Sequence, residues 1–143
     1  GALSAYRALL TDGKFLGLIM AKTYLTWEGD PAKHEFAAAA ENAGILDAEV
    51  EADKVYVVQV AIHMGAWKPR THFEVARSGS EALEEIRNDV SDLHQIMTTP
   101  EGFAWAAEND ADFQKTIAEY KAKGEEIETL TPADGAPTLP WVK

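Results

Sequence analysis

Residues 54–77, KVYVVQVAIHMGAWKPRTHFEVAR, form the longest β-branched, apolar run of the chain. Such residues favour a pleated, half-buried surface. Tyr56, Val58, Val60, Ile62 and Met64 alternate onto one face, and Val55, Val57, Gln59, Ala61 and His63 onto the other. A second strand over residues 71–77 sets Phe73 and Val75 on one face and His72, Glu74 and Ala76 on the other. A loop over residues 65–70, with Pro69 in it, pairs Ile62 with Phe73 and Val60 with Val75. That register places His63 opposite His72, and the matching apolar faces support it. The segment therefore predicts an antiparallel hairpin. A helix over residues 47–64, capped by Asp47, is the alternative and leads to an all-α protein, because short apolar runs are ambiguous by periodicity.

The same stretch reverses the charge of its surroundings. Lys54, Lys68, Arg70 and Arg77 face one acid, Glu74, for a net +3, whereas residues 1–53 carry −5 and residues 78–143 carry −9. On a hairpin these cations fall at the ends and at the loop. Acids are scarce there mainly because strand interiors are apolar.

Working outward, the periodicity predicts helices on both sides. Ser4 caps a first helix with Tyr6, Leu9 and Leu10, and Thr11-Asp12-Gly13 breaks it. A second runs over residues 14–27 with Leu16, Ile19, Met20 and Trp27 at helical spacing. Asp30-Pro31 opens a third that passes Phe36 and the Ala37–Ala40 row to Gly44. Ser78 and Glu81 form a capping box for a helix with a stripe of Leu83, Ile86, Val90, Leu93 and Met97. Thr99-Pro100 begins a short helix holding Phe103 and Trp105. Asp110 caps a further one with Phe113, Ile117 and Tyr120, ending at Gly124, and residues 125–130 suit a short strand. The expected fold is α+β, a small antiparallel sheet centred on residues 54–77 packed with five or six helices. Residues 1–130 make a single globular domain, followed by a Pro-rich extended tail over residues 131–143.

Composition narrows the function classes. At 143 residues, 46% hydrophobic and 26% charged, the chain suits one globular domain burying roughly 70% of its unfolded surface. A net charge of −11 argues against a nucleic-acid binder, which needs clustered Lys and Arg, and against anionic membrane surfaces. The apolar run over residues 15–21 is far shorter than the ~20 residues of a membrane span. A soluble protein is expected, with its compartment open. No signal-peptide pattern is visible, and the initial Gly1 is compatible with a presequence already removed. The absence of cysteine excludes disulfides, thiolate catalysis and Cys-based metal sites. Nucleotide-binding, zincin, serine-hydrolase and EF-hand motifs are missing too.

Three constellations remain. His63, His72 and Glu74, with Gln59 on the same face, are a reasonable donor set for zinc or non-haem iron, or for acid–base work. The plainer reading is two half-exposed histidines on a sheet face, and no cofactor is expected on balance. His34 and His94 are placed on helices, His94 in a packing role beside Val90 and Leu93, and the strand character around His63 contradicts a globin. Trp67, Lys68 and Arg70 at the loop tip suit an interface anchor or anion contact. Trp141, in the terminal LPWV, suits an arm that docks on a partner. The expected function is a non-catalytic binding or structural subunit acting through protein–protein contacts, with a protein partner or further copies of itself. The alternatives are a small enzyme or ligand- or metal-binding domain using His63, His72 and Glu74, and an acidic inhibitor of a basic-grooved protein.

Overall fold

A computed structural model describes residues 6–64 and 69–139, without the side chains at positions 63, 64 and 69. Nine strands and two helices follow in the order β1 (Tyr6–Thr11), β2 (Lys14–Met20), β3 (Thr23–Tyr24), β4 (Lys33–Ala39), β5 (Ala43–Glu49), β6 (Val57–Met64), β7 (Pro69–Ala76), α1 (Glu81–Asp89), β8 (His94–Gln95), α2 (Pro100–Ala122) and β9 (Glu128–Leu130). The expectation of one small sheet under five or six helices is overturned, and so is the all-α alternative. The three predicted helices before residue 45 are strands.

The centre is a five-stranded sheet in the order β2-β1-β4-β5-β9. β1 and β2 form a hairpin through Asp12 and Gly13, whose φ angles of 51° and 81° are those of a tight two-residue turn. β4 and β5 form a second hairpin, and β9 adds in parallel to β5. One face of this sheet carries Ala8, Leu10, Ala37, Ala43 and Ile45 against Ile117 of α2, with Phe15, Leu18, Phe113 and Tyr120 packed around them. The opposite face carries Leu9, Ala38, Leu46, Ala48 and Leu130 beneath Phe73 of β7, joined by Val58, Val60 and Val75. The sheet is thus covered by a helix on one side and by the β6–β7 hairpin on the other. Strands buried on both faces lose the alternation that marks a half-solvated strand. This is why the Ala37–Ala39 row reads as helical.

The predicted hairpin exists with a different register. Val60 pairs with Phe73, Val58 with Val75 and Ala61 with His72, while His63 lies opposite Arg70. The shift is two residues, so every side chain keeps its predicted face but His63 and His72 are not cross-strand partners. Pairing extends to Met64 and Pro69, which makes the loop shorter than expected. β7 comes so close to β5 that a Cβ on Gly44 would lie 2.9 Å from the backbone of Thr71 and His72. Only glycine leaves room for that approach.

α1 starts from Ser80, whose side chain accepts from the Leu83 N–H at 3.2 Å; Ser78, the predicted cap, instead donates its N–H to the Asp134 carbonyl. The helix stops at Asp89, and the predicted stripe dissolves into a 3-10 turn at Val90–Asp92 and the short β8, which pairs in parallel with β3. The two short helices predicted beyond Thr99 are one, α2, capped by the Thr99 side chain on the Gly102 N–H at 3.1 Å. The start of the predicted tail is held at the hairpin base. A 3-10 turn at Pro132–Asp134 accepts from Lys54, and Ala136 exchanges two backbone hydrogen bonds with Val55. No helix among the described residues is long and apolar enough to cross a membrane.

Candidate functional site

The cations that mark residues 54–77 meet the acids of the flanking arms. Lys54 Nζ lies 3.1 Å from Glu51, Arg70 lies 3.5 Å from Glu125, and Arg77 reaches Glu128 at 3.7 Å and Asp134 at 3.5 Å. Lys68 falls outside the described residues. The basic island therefore ties the arms to the hairpin, and its charge is largely answered within the chain.

Around Arg70 and His72 the hairpin, the β4–β5 turn and the end of α2 enclose an open cavity of about 510 Å³. Its wall carries Glu41, Glu119, Glu125, Glu126 and Glu128 beside Arg70 and Lys123. The Tyr120 hydroxyl donates to the Glu126 carbonyl. Its pKa is raised by burial first and then by Glu125 and Glu126. Beneath the hairpin Arg7 is buried, with Nε donating to Thr71 Oγ1 at 2.6 Å and Nη1 to the Tyr6 carbonyl at 3.0 Å. Burial lowers its pKa and Glu41 opposes that shift.

Of the predicted donor set, His72 Nε2 meets Glu74 Oε1 at 2.9 Å along the same strand. The His63 side chain lies outside the described residues. Among the described residues no three of His, Asp and Glu converge for a metal ion. Trp67 and Trp141 also lie outside the described residues. His34 and His94 sit on strands rather than helices, and His94 is exposed. His34 Nδ1 is 2.7 Å from Asp12 Oδ2 and its Nε2 is 2.8 Å from the Asp30 carbonyl, so both ring nitrogens face acceptors. Trp27 packs edge-on to the ring with centroids 4.8 Å apart. The Asp12 hydrogen bond raises the His34 pKa first of all. The Glu35 backbone N–H and then His34 lower that of Asp12. This clasp closes the β1–β2 turn onto β4 and is structural in character.

The second recess is apolar. A groove of about 400 Å³ runs between β2, the segment 96–99 and the first turns of α2, lined by Tyr6, Phe15, Leu18, Ile96, Met97 and Trp105 among others. Phe15 is its centre, edge-on to Phe103 at 6.1 Å and to Trp105 at 6.4 Å, and stacked on Phe113 at 6.1 Å. Thr98 fixes the segment to the outer edge of β2 by donating to the Leu16 carbonyl. Met97 is 87% exposed and Phe103 49% exposed at the rim, and Met20, paired with Tyr6, is 47% exposed. Residues 100–114 add Glu101, Glu108, Asp110 and Asp112 with no basic side chain. Sequence reasoning missed this groove, because its walls come from segments some eighty positions apart and no local motif unites them. Helical spacing puts Met97 in the apolar stripe with Leu83 and Ile86, whereas the structure leaves it exposed.

The chain matches no family model, and no curated protein or solved structure is significantly similar to it.

Proposed function

We propose that the protein is a non-catalytic binding subunit whose working surface is the groove between β2, residues 96–99 and the start of α2, and whose partner is a basic, amphipathic polypeptide segment. One observation carries this reading: Met97 stands almost fully exposed in the wall of a recess lined by Phe15 and Leu18, with the exposed Phe103 ring against Phe15 and the exposed Met20 paired with Tyr6. Exposed large apolar side chains gathered at a groove are the usual mark of an interaction site. Methionine adapts to varied apolar anchors. The acids along residues 100–114 and the net charge of −11 favour a cationic partner and speed its approach.

Titration calorimetry with a synthetic Leu/Lys amphipathic helix as probe tests it. Wild-type protein should bind, binding should weaken as salt is raised, and Met97→Asp and Phe103→Asp should abolish it, Met97→Asp while leaving thermal unfolding unchanged. No binding by the wild type, or binding that survives both substitutions, overturns the reading. The acidic-inhibitor alternative shares the salt dependence but predicts that both substitutions leave binding intact.

A further inference from the structure

β6 presents an edge that no other strand of the described chain covers. Val57–Met64 pairs with β7 on one side and, among the described residues, makes no backbone hydrogen bond on the other. In an antiparallel ladder the hydrogen-bonding groups turn alternately inward and outward. The Thr71 N–H leaves the ladder for Asn42 Oδ1 at 3.1 Å, so Thr71 and Ile62 form a pair without mutual hydrogen bonds. Pro69, which has no N–H, falls at the same parity opposite Met64. It follows that Val58, Val60 and Ile62 point their N–H and C=O groups outward, while Val57, Gln59 and Ala61 bond to β7.

Open edges are normally blunted by charge, proline, brevity or a covering segment. Among the described residues both edges of the central sheet are blunted: Thr98 covers β2 at Leu16, and β9 spans only Glu128–Leu130. β6, VVQVAIHM, has neither charge nor proline. We propose that β6 is a dimerisation edge that receives β6 of a second copy in antiparallel register, making one four-stranded sheet from two hairpins.

The strand is complementary to itself. A two-fold axis at Val60 sets Val60 against Val60 of the second copy and Val58 against Ile62, so all three outward residues meet as hydrogen-bonded pairs. Val58, Val60 and Ile62 share a face, and Ile62, 50% exposed in the single chain, gains Val58 of the second copy beside it. Charge points the same way. Two chains of −11 repel at long range, and an uncharged strand is where they touch at least cost. The inference is independent of the groove: salt strengthens this contact by screening, whereas it weakens capture of a basic segment.

Light scattering across protein concentration and salt tests it. The wild type should reach twice the monomer mass, at lower protein concentration when salt is raised. Val60→Pro removes an outward N–H and no ladder bond, and Ile62→Lys adds a charge at an exposed position. Both should remain monomeric. If Val60→Pro misfolds by circular dichroism, Ile62→Lys alone decides. A wild type that stays monomeric throughout, or a dimer that survives Ile62→Lys, overturns the proposal. So does a dimer lost in Met97→Asp and kept in Ile62→Lys, since that places the second copy in the groove.

Discussion

His34 holds its ring between a carboxylate and a carbonyl, a geometry that both nitrogens satisfy only when each carries a proton. The sign of the linkage follows for each partner. His34 has a raised pKa, so its contribution is complete below the ordinary value of 6.5 and is lost as pH climbs through the raised one. Asp12 has a lowered pKa, so its contribution is complete above 3.8 and is lost as pH falls through the lowered one. The clasp is strongest between those limits. In urea unfolding the gap between wild type and His34→Gln should be widest at mildly acidic pH and narrow above neutrality. A gap independent of pH sinks this account. None of this was legible locally, because Asp12 and His34 meet only through the pairing of β1 with β4. The faces of His72 and Glu74 were legible, since a strand's two-residue period survives a register error of two.

Among the elements, each sequence reading failed or held for a local reason. Asp12-Gly13 between two apolar runs is a hairpin signal. The Leu, Met and Ala around it are good helix formers and drew the reading toward helix. The cap of α1 lies two positions beyond the expected Ser78, because Ser78 has the capping-box spacing to Glu81 and only the fold gives its N–H to Asp134. Ser80→Ala should therefore cost about 1 kcal/mol in thermal unfolding. Ser78→Ala should stay within about 0.5 kcal/mol, because its bond to Asp134 is made by the main chain. Equal losses would place the cap elsewhere. α2 was divided in two because only Ala106 and Ile117 are fully buried along its length, which leaves a weak periodic signal.

Across the whole molecule, the charge pattern organises the layers. Arg77 joins β7 to Glu128 of β9 and to Asp134 of the terminal segment, while Lys54 reaches Pro132. Single exposed pairs contribute little, but these converge on one seam. Arg77→Met should speed hydrogen exchange at Ser78, Val55 and Ala136 while β4 and β5 amides keep their protection. Unchanged exchange at all three would show that backbone pairing alone holds the seam.

By itself the sequence determined the hairpin at residues 54–77, the faces of its side chains, the helix ending at Gly124 and the acid–base division of the chain. Those properties rest on short-range periodicity, turn chemistry and composition. Tertiary structure alone decided that the Ala37–Ala39 row is a strand, since it lies under layers on both faces. It also decided that β7 slides two residues along β6 and that Phe15, Met97 and Trp105 share a groove. In each case the deciding contact joins segments distant in sequence, and no local pattern encodes which distant surface will cover a residue.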